Sequence, residues 1–130
     1  MSADLVQAAI AAMAKAYAPY SHFAVGAAVR GASGTVYAGC NVENAAYPQG
    51  CCAEASAISA LVMGGDTRIV EVAVAGGGDK LVTPCGGCRQ RLREFAADDV
   101  KIHICGPAGL RETVTLGALL PLSFGPDNLG

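Results

Sequence analysis

Three cysteines and one glutamate have the spacing that a metal site with a nearby acid or base would require. Cys52 and Glu54 lie in "QGCCAEASAI", the predicted start of an alanine-rich helix, and Cys85 and Cys88 lie in "PCGGCRQRLREFA", the predicted start of another. A helix N-terminus presents free backbone N–H groups and the positive end of the helix dipole, and both stabilise thiolates. Three thiolates from two such helix starts would bind zinc and leave one coordination position open, as catalytic zinc sites do.

Glu54 is placed to work beside such a metal without binding it. From two residues beyond a ligand, its carboxylate could take a proton from an activated water and pass it to a substrate. Cys51 directly precedes Cys52, but the side chains of neighbouring helix residues point about 100° apart. Cys51 is therefore not expected to be a fourth metal ligand. The order "CAE" and then "PCGGC" is the pattern of zinc-dependent nucleobase deaminases.

The composition restricts the chain to a small set of protein classes. Its 130 residues are 52% hydrophobic and 15% charged, which predicts one compact domain spanning residues 1–130. A net charge of -2 without a basic run argues against a nucleic-acid partner. The N-terminal segment has neither a secretory signal nor a membrane-length apolar run, which predicts a cytoplasmic protein without a membrane partner. In that reducing compartment we expect thiols or metal ligands rather than disulfides, with Cys40 and Cys105 as buried thiols.

The pattern of apolar residues predicts elements that would bring the two cysteine segments together. Strands are expected at 23–30, 35–44, 68–77 and 100–106, helices at 52–63 and 84–96 with a first helix ending before Pro19, and a short fifth strand or helical turn within 112–124. Proline suits a first helical position, so Pro84 is expected to open its helix. Helices that alternate with strands predict an α/β layered fold with a mixed sheet.

Four segments together resemble the cytidine deaminase family, specifically its small homotetrameric type with three cysteine zinc ligands. They are "YAPYSHFAVGAA", "GCNVENAAYPQGCCAE", "PCGGCRQRLREF" and "LLPLSF", and they span nearly the whole chain. The resemblance implies a three-layer α/β/α fold with a mainly five-stranded mixed sheet. It also implies zinc-dependent deamination of cytidine and 2'-deoxycytidine to uridine and 2'-deoxyuridine in pyrimidine salvage, with release of ammonia.

The resemblance assigns substrate contacts to residues outside the zinc motif. Asn41 and Glu43 match a pair that binds ribose hydroxyls, and on an extended segment they would point the same way. Phe23 matches an aromatic residue that packs on the pyrimidine ring. Tyr47 and Phe124 match residues that reach a neighbouring subunit's site, so the homotetramer would share its active sites.

Two further features concern the helix start itself. Backbone N–H groups near Ala53 could hold the pyrimidine carbonyl. The family usually carries an arginine directly after "CAE", where its guanidinium can hydrogen-bond the thiolates, but this chain has Ala55. We expect Arg89 to supply compensating hydrogen bonds, with Arg91 and Arg93 as alternatives.

Three other functions are compatible with parts of the sequence. A thiol oxidoreductase would use Cys85 and Cys88 as a redox pair and leave Glu54 unexplained. A zinc-stabilised interaction module would need a closed site with four ligands. A deaminase of another aminopyrimidine nucleoside, such as blasticidin, would share the zinc motif, although the intact "NVEN" favours an ordinary ribosyl substrate.

Overall fold

The computed structural model describes residues 2–130. Its helices are α1 (Ser2–Met13), α2 (Ala53–Met63), α3 (Gly86–Phe95) and α4 (Leu116–Leu119), and its strands are β1 (Val25–Gly31), β2 (Val36–Cys40), β3 (Ile69–Gly76), β4 (Lys101–Gly106) and β5 (Gly109–Thr115). Short 3₁₀ turns lie at Tyr47–Gln49 and Pro126–Asn128. None of the helices within residues 2–130 has both the length and the apolar character needed to cross a membrane.

The five strands form one mixed sheet in the order β2-β1-β3-β4-β5. β3 and β4 pair in parallel, and α3 lies in the connection between them, whereas the other neighbouring strands pair antiparallel. A parallel pair needs a crossover connection, and here that crossover carries two of the cysteines. The mixed five-stranded sheet predicted from the sequence is confirmed.

Helices cover both faces of this sheet. On one face Leu5 and Ala9 of α1 cluster with small strand residues such as Ala28 and Ala73. A Cβ at Gly26 would overlap the α1 backbone, so glycine lets the helix lie close to β1. On the other face α2 and α3 bury larger residues, including Leu61, Leu92, Val72 and Ile102. The fold is therefore the predicted three-layer α/β/α arrangement, with the main core beneath α2 and α3.

Several element boundaries differ from those predicted. β2 ends at Cys40 rather than at residue 44, because Val42 leaves the sheet to bridge Tyr17 and Cys51. The segment 112–124 was predicted to hold either a short strand or a helical turn, and it holds part of each. β5 begins earlier, at Gly109, and α4 follows it directly. Gly109 has φ 136°, a left-handed conformation that suits glycine at the β4–β5 turn.

The predicted role of Pro84 as the first residue of its helix was wrong. α3 begins two residues later, at Gly86, with Cys85 as its N-cap. The Pro84 carbonyl oxygen accepts a 2.7 Å hydrogen bond from the Arg89 Nε, a side-chain contact in place of a bond within the helix.

Candidate metal centre and active site

Two helix starts place the three predicted cysteines at one point. Cys52 is the N-cap of α2, Cys85 is the N-cap of α3, and Cys88 lies in the first turn of α3. The Cys52 side chain makes no hydrogen bond that caps α2. The Cys85 sulfur accepts a hydrogen bond from the Cys88 backbone N–H, which favours its thiolate form and leaves the sulfur accessible to a ligand.

The three sulfur atoms are close enough to share one metal ion. All three Sγ atoms lie within 4.8 Å of one another, and those of Cys52 and Cys85 are 4.0 Å apart. A tetrahedral zinc with Zn–S bonds of about 2.3 Å needs sulfur atoms roughly 3.8 Å apart. This donor set fits zinc and leaves a fourth position for water or substrate.

Charge and burial around the cluster also fit a bound cation. Burial raises the pKa of the Cys88 thiol, and the neighbouring Glu54 carboxylate raises it further. Burial likewise raises the pKa of Glu54, which is 4% exposed, whereas a hydrogen bond from the Cys88 backbone N–H lowers the pKa of Cys85. A divalent metal would bind these thiols in their deprotonated form and would balance the negative charge that its binding creates in this buried space.

The other cysteines lie outside the cluster. The exposed Cys51 has its Sγ 3.6 Å from the Ser56 hydroxyl oxygen, which is consistent with its predicted exclusion from the metal site. All six cysteines are unbridged. Cys105 is buried as predicted, but Cys40 is only partly buried because β2 is an edge strand.

An arginine contacts the thiol cluster, but it is not the one expected. Arg89 is engaged elsewhere: besides Pro84, it donates from Nη1 to the Leu119 carbonyl oxygen at 2.9 Å. Arg91 instead places Nη1 3.5 Å from the Cys88 Sγ. The prediction for Arg89 was wrong, and the alternative Arg91 is the guanidinium in contact with a thiol.

A cavity of about 230 Å³ opens onto the cluster. Its lining includes Cys52, Cys85 and Glu54 together with three further predicted residues, Phe23, Asn41 and Ala53. Val82 and Thr83 also line it, and the sequence reasoning did not single them out. The one feature of the sequence that could have indicated these two residues is their position just before "PCGGC". A flat ring entering this cavity would meet an aromatic side chain, an amide and the buried carboxyl group.

Asn41 links the cavity wall to β1. Its Oδ1 accepts a 2.9 Å hydrogen bond from the Val25 N–H, and its Nδ2 donates at 2.9 Å to the Phe23 carbonyl oxygen. These bonds use one Oδ1 lone pair and one amide hydrogen, so each end of the amide retains hydrogen-bonding capacity.

Glu43 and Tyr47 line a second cavity, of about 300 Å³. The Glu43 Oε1 accepts from the backbone N–H groups of Tyr20 and Ser21 at 2.9 and 3.0 Å, and Oε2 accepts from the Ser21 hydroxyl. The Ser21 hydroxyl is the main reason why the pKa of Glu43 lies below its usual value. Asn41 and Glu43 thus line different cavities of the single chain, and they flank Val42, which lies beyond the end of β2 and bridges Tyr17 and Cys51.

The segment from 120 to 130, here called the C-terminal tail, carries Phe124. The Phe124 side chain is 57% exposed and lines neither cavity. The ring of Tyr47, 74% exposed, meets the ring of Tyr20 at a centroid distance of 5.9 Å. Both predicted intersubunit residues therefore lie on the surface of the single chain.

Comparison with known proteins identifies the family of this chain. A family model described as the cytidine and deoxycytidylate deaminase zinc-binding region matches residues 2–104. A cytidine deaminase of Sporosarcina psychrophila is 39% identical over 115 residues, which are 88% of this chain and 85% of that protein. One from Mycobacterium tuberculosis H37Rv is 43% identical over 119 residues, 91% of this chain and 85% of that protein. The chain belongs to the cytidine and deoxycytidylate deaminase family.

A solved structure supports the same assignment. The crystal structure of a cytidine deaminase from Burkholderia pseudomallei matches with a TM-score of 0.85 and 39% identity, over 93% of this chain and 97% of that one. The predicted family, fold class, zinc cofactor and enzyme class are confirmed. The thiol oxidoreductase and the closed zinc module are not favoured, because the family is a zinc-binding one and the cluster has three thiols.

Proposed function

We propose that this chain hydrolyses the 4-amino group of cytidine and 2'-deoxycytidine, giving uridine and 2'-deoxyuridine with release of ammonia, and serves pyrimidine salvage. The observation that carries the proposal is the cavity that joins Glu54 to the cysteine cluster beneath Phe23 and Asn41. Cytidine deaminases at about 40% identity over most of the chain support the choice of substrate.

The proposed roles at the reacting centre follow from the position of each group. Cys52, Cys85 and Cys88 hold the zinc, which when bound supplies the Lewis acidity that makes water a nucleophile near neutral pH. Glu54 takes a proton from the attacking water and delivers it to the ring nitrogen N3. It then takes the proton of the hydroxyl group added at C4 and transfers it to the departing amino group, so that the C4–N bond breaks, ammonia leaves and a carbonyl remains. The burial that raises the pKa of Glu54 suits a group that both accepts and donates protons.

Substrate binding is assigned to the walls of the two cavities. Phe23 packs on the pyrimidine ring, and the backbone N–H of Ala53, the first residue of α2, holds the ring carbonyl. Asn41 and Glu43 bind the ribose hydroxyls. Those two side chains line distinct cavities and are only two residues apart, so we propose that the sugar spans the surface between them.

The working assembly is proposed to be a homotetramer with shared sites. Tyr47 and Phe124 are 74% and 57% exposed, and Leu122 and Leu129 are more exposed still. Exposed large apolar side chains of this kind would be buried by contact with another copy of the chain. In this assembly Tyr47 and Phe124 each reach the nucleoside bound by a neighbouring copy.

The remaining predictions about partners and location form part of this proposal. The net charge of -2 favours a small nucleoside over a nucleic acid as partner. Six unbridged cysteines are typical of a reducing compartment, which supports a cytoplasmic location without a membrane partner. One continuous sheet through the described residues supports a single domain over 1–130.

A substrate panel tests the proposed function. Zinc-loaded protein is incubated with cytidine, 2'-deoxycytidine, free cytosine, deoxycytidylate and blasticidin, and ammonia release is measured. Turnover of the two nucleosides with little activity on the others is expected. Preferential release from blasticidin would support the alternative aminopyrimidine substrate, and release from none of the five would refute the deaminase assignment.

A further inference from the structure

The C-terminal tail is fastened to α3 by polar contacts. Gln90 Nε2 donates a 2.8 Å hydrogen bond to the Phe124 carbonyl oxygen. Arg93 donates from Nε to the Ser123 Oγ at 2.9 Å and forms a 2.8 Å ion pair from Nη2 to Asp127. One face of one helix thus contacts the tail on both sides of Phe124 and at its backbone.

Burial of apolar groups within the chain does not explain the order of the tail. Leu120 is partly buried, but the other large apolar side chains of the tail face outwards: Leu122 is fully exposed, Leu129 is 80% exposed and Phe124 is 57% exposed. Segments that bury little apolar surface order only when other contacts offset the loss of chain entropy. Within the described residues, the polar contacts from α3 supply such anchors for the tail.

The backbone beside Phe124 is itself strained. Leu122 has φ 53°, a left-handed conformation that costs a residue with a Cβ about 1–2 kcal/mol. The anchored Leu119 carbonyl, bound by Arg89, and the Ser123 hydroxyl, bound by Arg93, flank this residue. Strained residues persist where their surroundings over-determine them, often at functional sites. The tail is therefore held in a shape that it would not adopt by itself.

Gly125 completes the anchor. A Cβ at this position would overlap the Arg93 guanidinium, so the absence of a side chain allows the guanidinium to lie against the tail backbone. The Gly125 N–H also donates to the Asn128 Oδ1 at 2.8 Å, which closes the turn after Phe124.

We propose that Gln90 and Arg93 are positioning residues that aim the Phe124 ring at the nucleoside bound by a neighbouring copy of the chain. The proposal rests on the proposed function, in which Phe124 completes the neighbour's site. It adds that α3 serves two sites at once: its first turn holds Cys88 for its own metal, and its polar face presents Phe124 to another copy.

A double-mutant cycle measures whether Arg93 acts through Phe124. Arg93→Gln and Phe124→Ala are each expected to raise the KM for cytidine about 2- to 12-fold, the equivalent of an aromatic contact of about 0.5–1.5 kcal/mol, with kcat and zinc content unchanged. The combined variant should be no worse than Phe124→Ala alone. Glu94→Gln, an exposed neighbour on α3, is the matched control and should leave the KM unchanged. Additive losses would show that Arg93 does not act through Phe124.

A fluorescent reporter tests the anchor independently of activity. The chain contains no tryptophan, so Phe124→Trp creates a single reporter in the tail. Fluorescence anisotropy should decay faster when Arg93→Gln or Gln90→Ala is added, while light scattering on the same samples shows an unchanged assembly. Unaltered anisotropy would refute the anchor itself, and so would dissociation of the assembly by Arg93→Gln alone. If the anisotropy decays faster in the anchor variants but Phe124→Ala leaves the KM for cytidine unchanged, then Phe124 does not contribute to a neighbouring site. The positioning role of Gln90 and Arg93 would then be refuted as well.

Discussion

Replacing Arg91 by glutamine removes the guanidinium that contacts the Cys88 thiol at 3.5 Å. Zinc and three thiolates sum to a charge of -1, an ionised Glu54 adds another negative charge, and each helix N-terminus returns only about half a charge. A hydrogen bond to a charged group contributes about 1.5–3 kcal/mol. Arg91 is exposed, so solvent and salt reduce this to about 1 kcal/mol, and the zinc Kd should rise about fivefold.

Competition with a chromophoric chelator measures this Kd directly. Arg91→Lys keeps the charge and should retain most of the affinity, and the difference between wild type and Arg91→Gln should shrink as ionic strength rises. Arg68→Gln is the matched control. It removes the same charge at the residue that directly precedes β3, away from the two helix starts that carry the cysteines. An unchanged Kd in Arg91→Gln, or an equal loss in Arg68→Gln, would refute the idea that Arg91 offsets the charge of the thiolates.

Three further outcomes follow from the site and the sheet. Metal analysis should show a lower zinc content in each of the three ligand variants, Cys52→Ser, Cys85→Ser and Cys88→Ser, and an unchanged content in Cys51→Ser. An equal loss of zinc in all four variants would mean that four cysteines bind the metal. Glu54→Gln should keep zinc and fold yet lower kcat by about two to four powers of ten, because the amide fits the buried position but cannot move protons; wild-type ammonia release would remove Glu54 from the mechanism. Burial raises the pKa of Glu71, but hydrogen bonds from His103, Ser2 and Arg30 outweigh it and leave the pKa below its usual value. The stability that these bonds contribute is therefore present above about pH 4.3, the pKa of an unfolded glutamate, and is lost as the pH falls through the folded-state pKa. Glu71→Gln should therefore have a lower Tm than wild type at pH 7 and should lose less Tm on acidification. Parallel curves of Tm against pH for the two proteins would contradict this.

The metal ligands could be predicted from the sequence because local chemistry determines them. Cys85 and Cys88 are three residues apart at a helix start, and Cys52 stands at the N-cap of a helix whose apolar pattern is clear. Glu54 follows in the first turn, so its nearness to the cluster needs no long-range information. The convergence of the two helix starts then follows from a sheet whose mixed character the alternating elements had already indicated.

The contacts of the arginines on α3 depended on parts of the chain far away in sequence. Arg89 turns away from the cysteines because the Leu119 carbonyl oxygen, thirty residues further on, accepts its hydrogen bond. Helix geometry favoured Arg91, since residues three apart on a helix are neighbours and Arg91 is three residues after Cys88. The spacing was visible in the sequence, but the competing acceptor for Arg89 was not.

The substrate walls were only partly predictable for a similar reason. The strand was expected to continue through Asn41 and Glu43, but β2 ends at Cys40 and Val42 pairs instead with Tyr17 and Cys51. Such pairings join segments that no local pattern connects. The path of the tail around Phe124 likewise depends on α3 and could not be read from "LLPLSF".

Zinc content and cytidine turnover measured on the same sample of purified protein test the proposed deaminase activity. We predict one zinc per chain and conversion of cytidine to equal amounts of uridine and ammonia, with both products lost in a Glu54→Gln sample of the same zinc content. A folded, fully zinc-loaded wild-type protein that leaves cytidine unchanged would contradict the account.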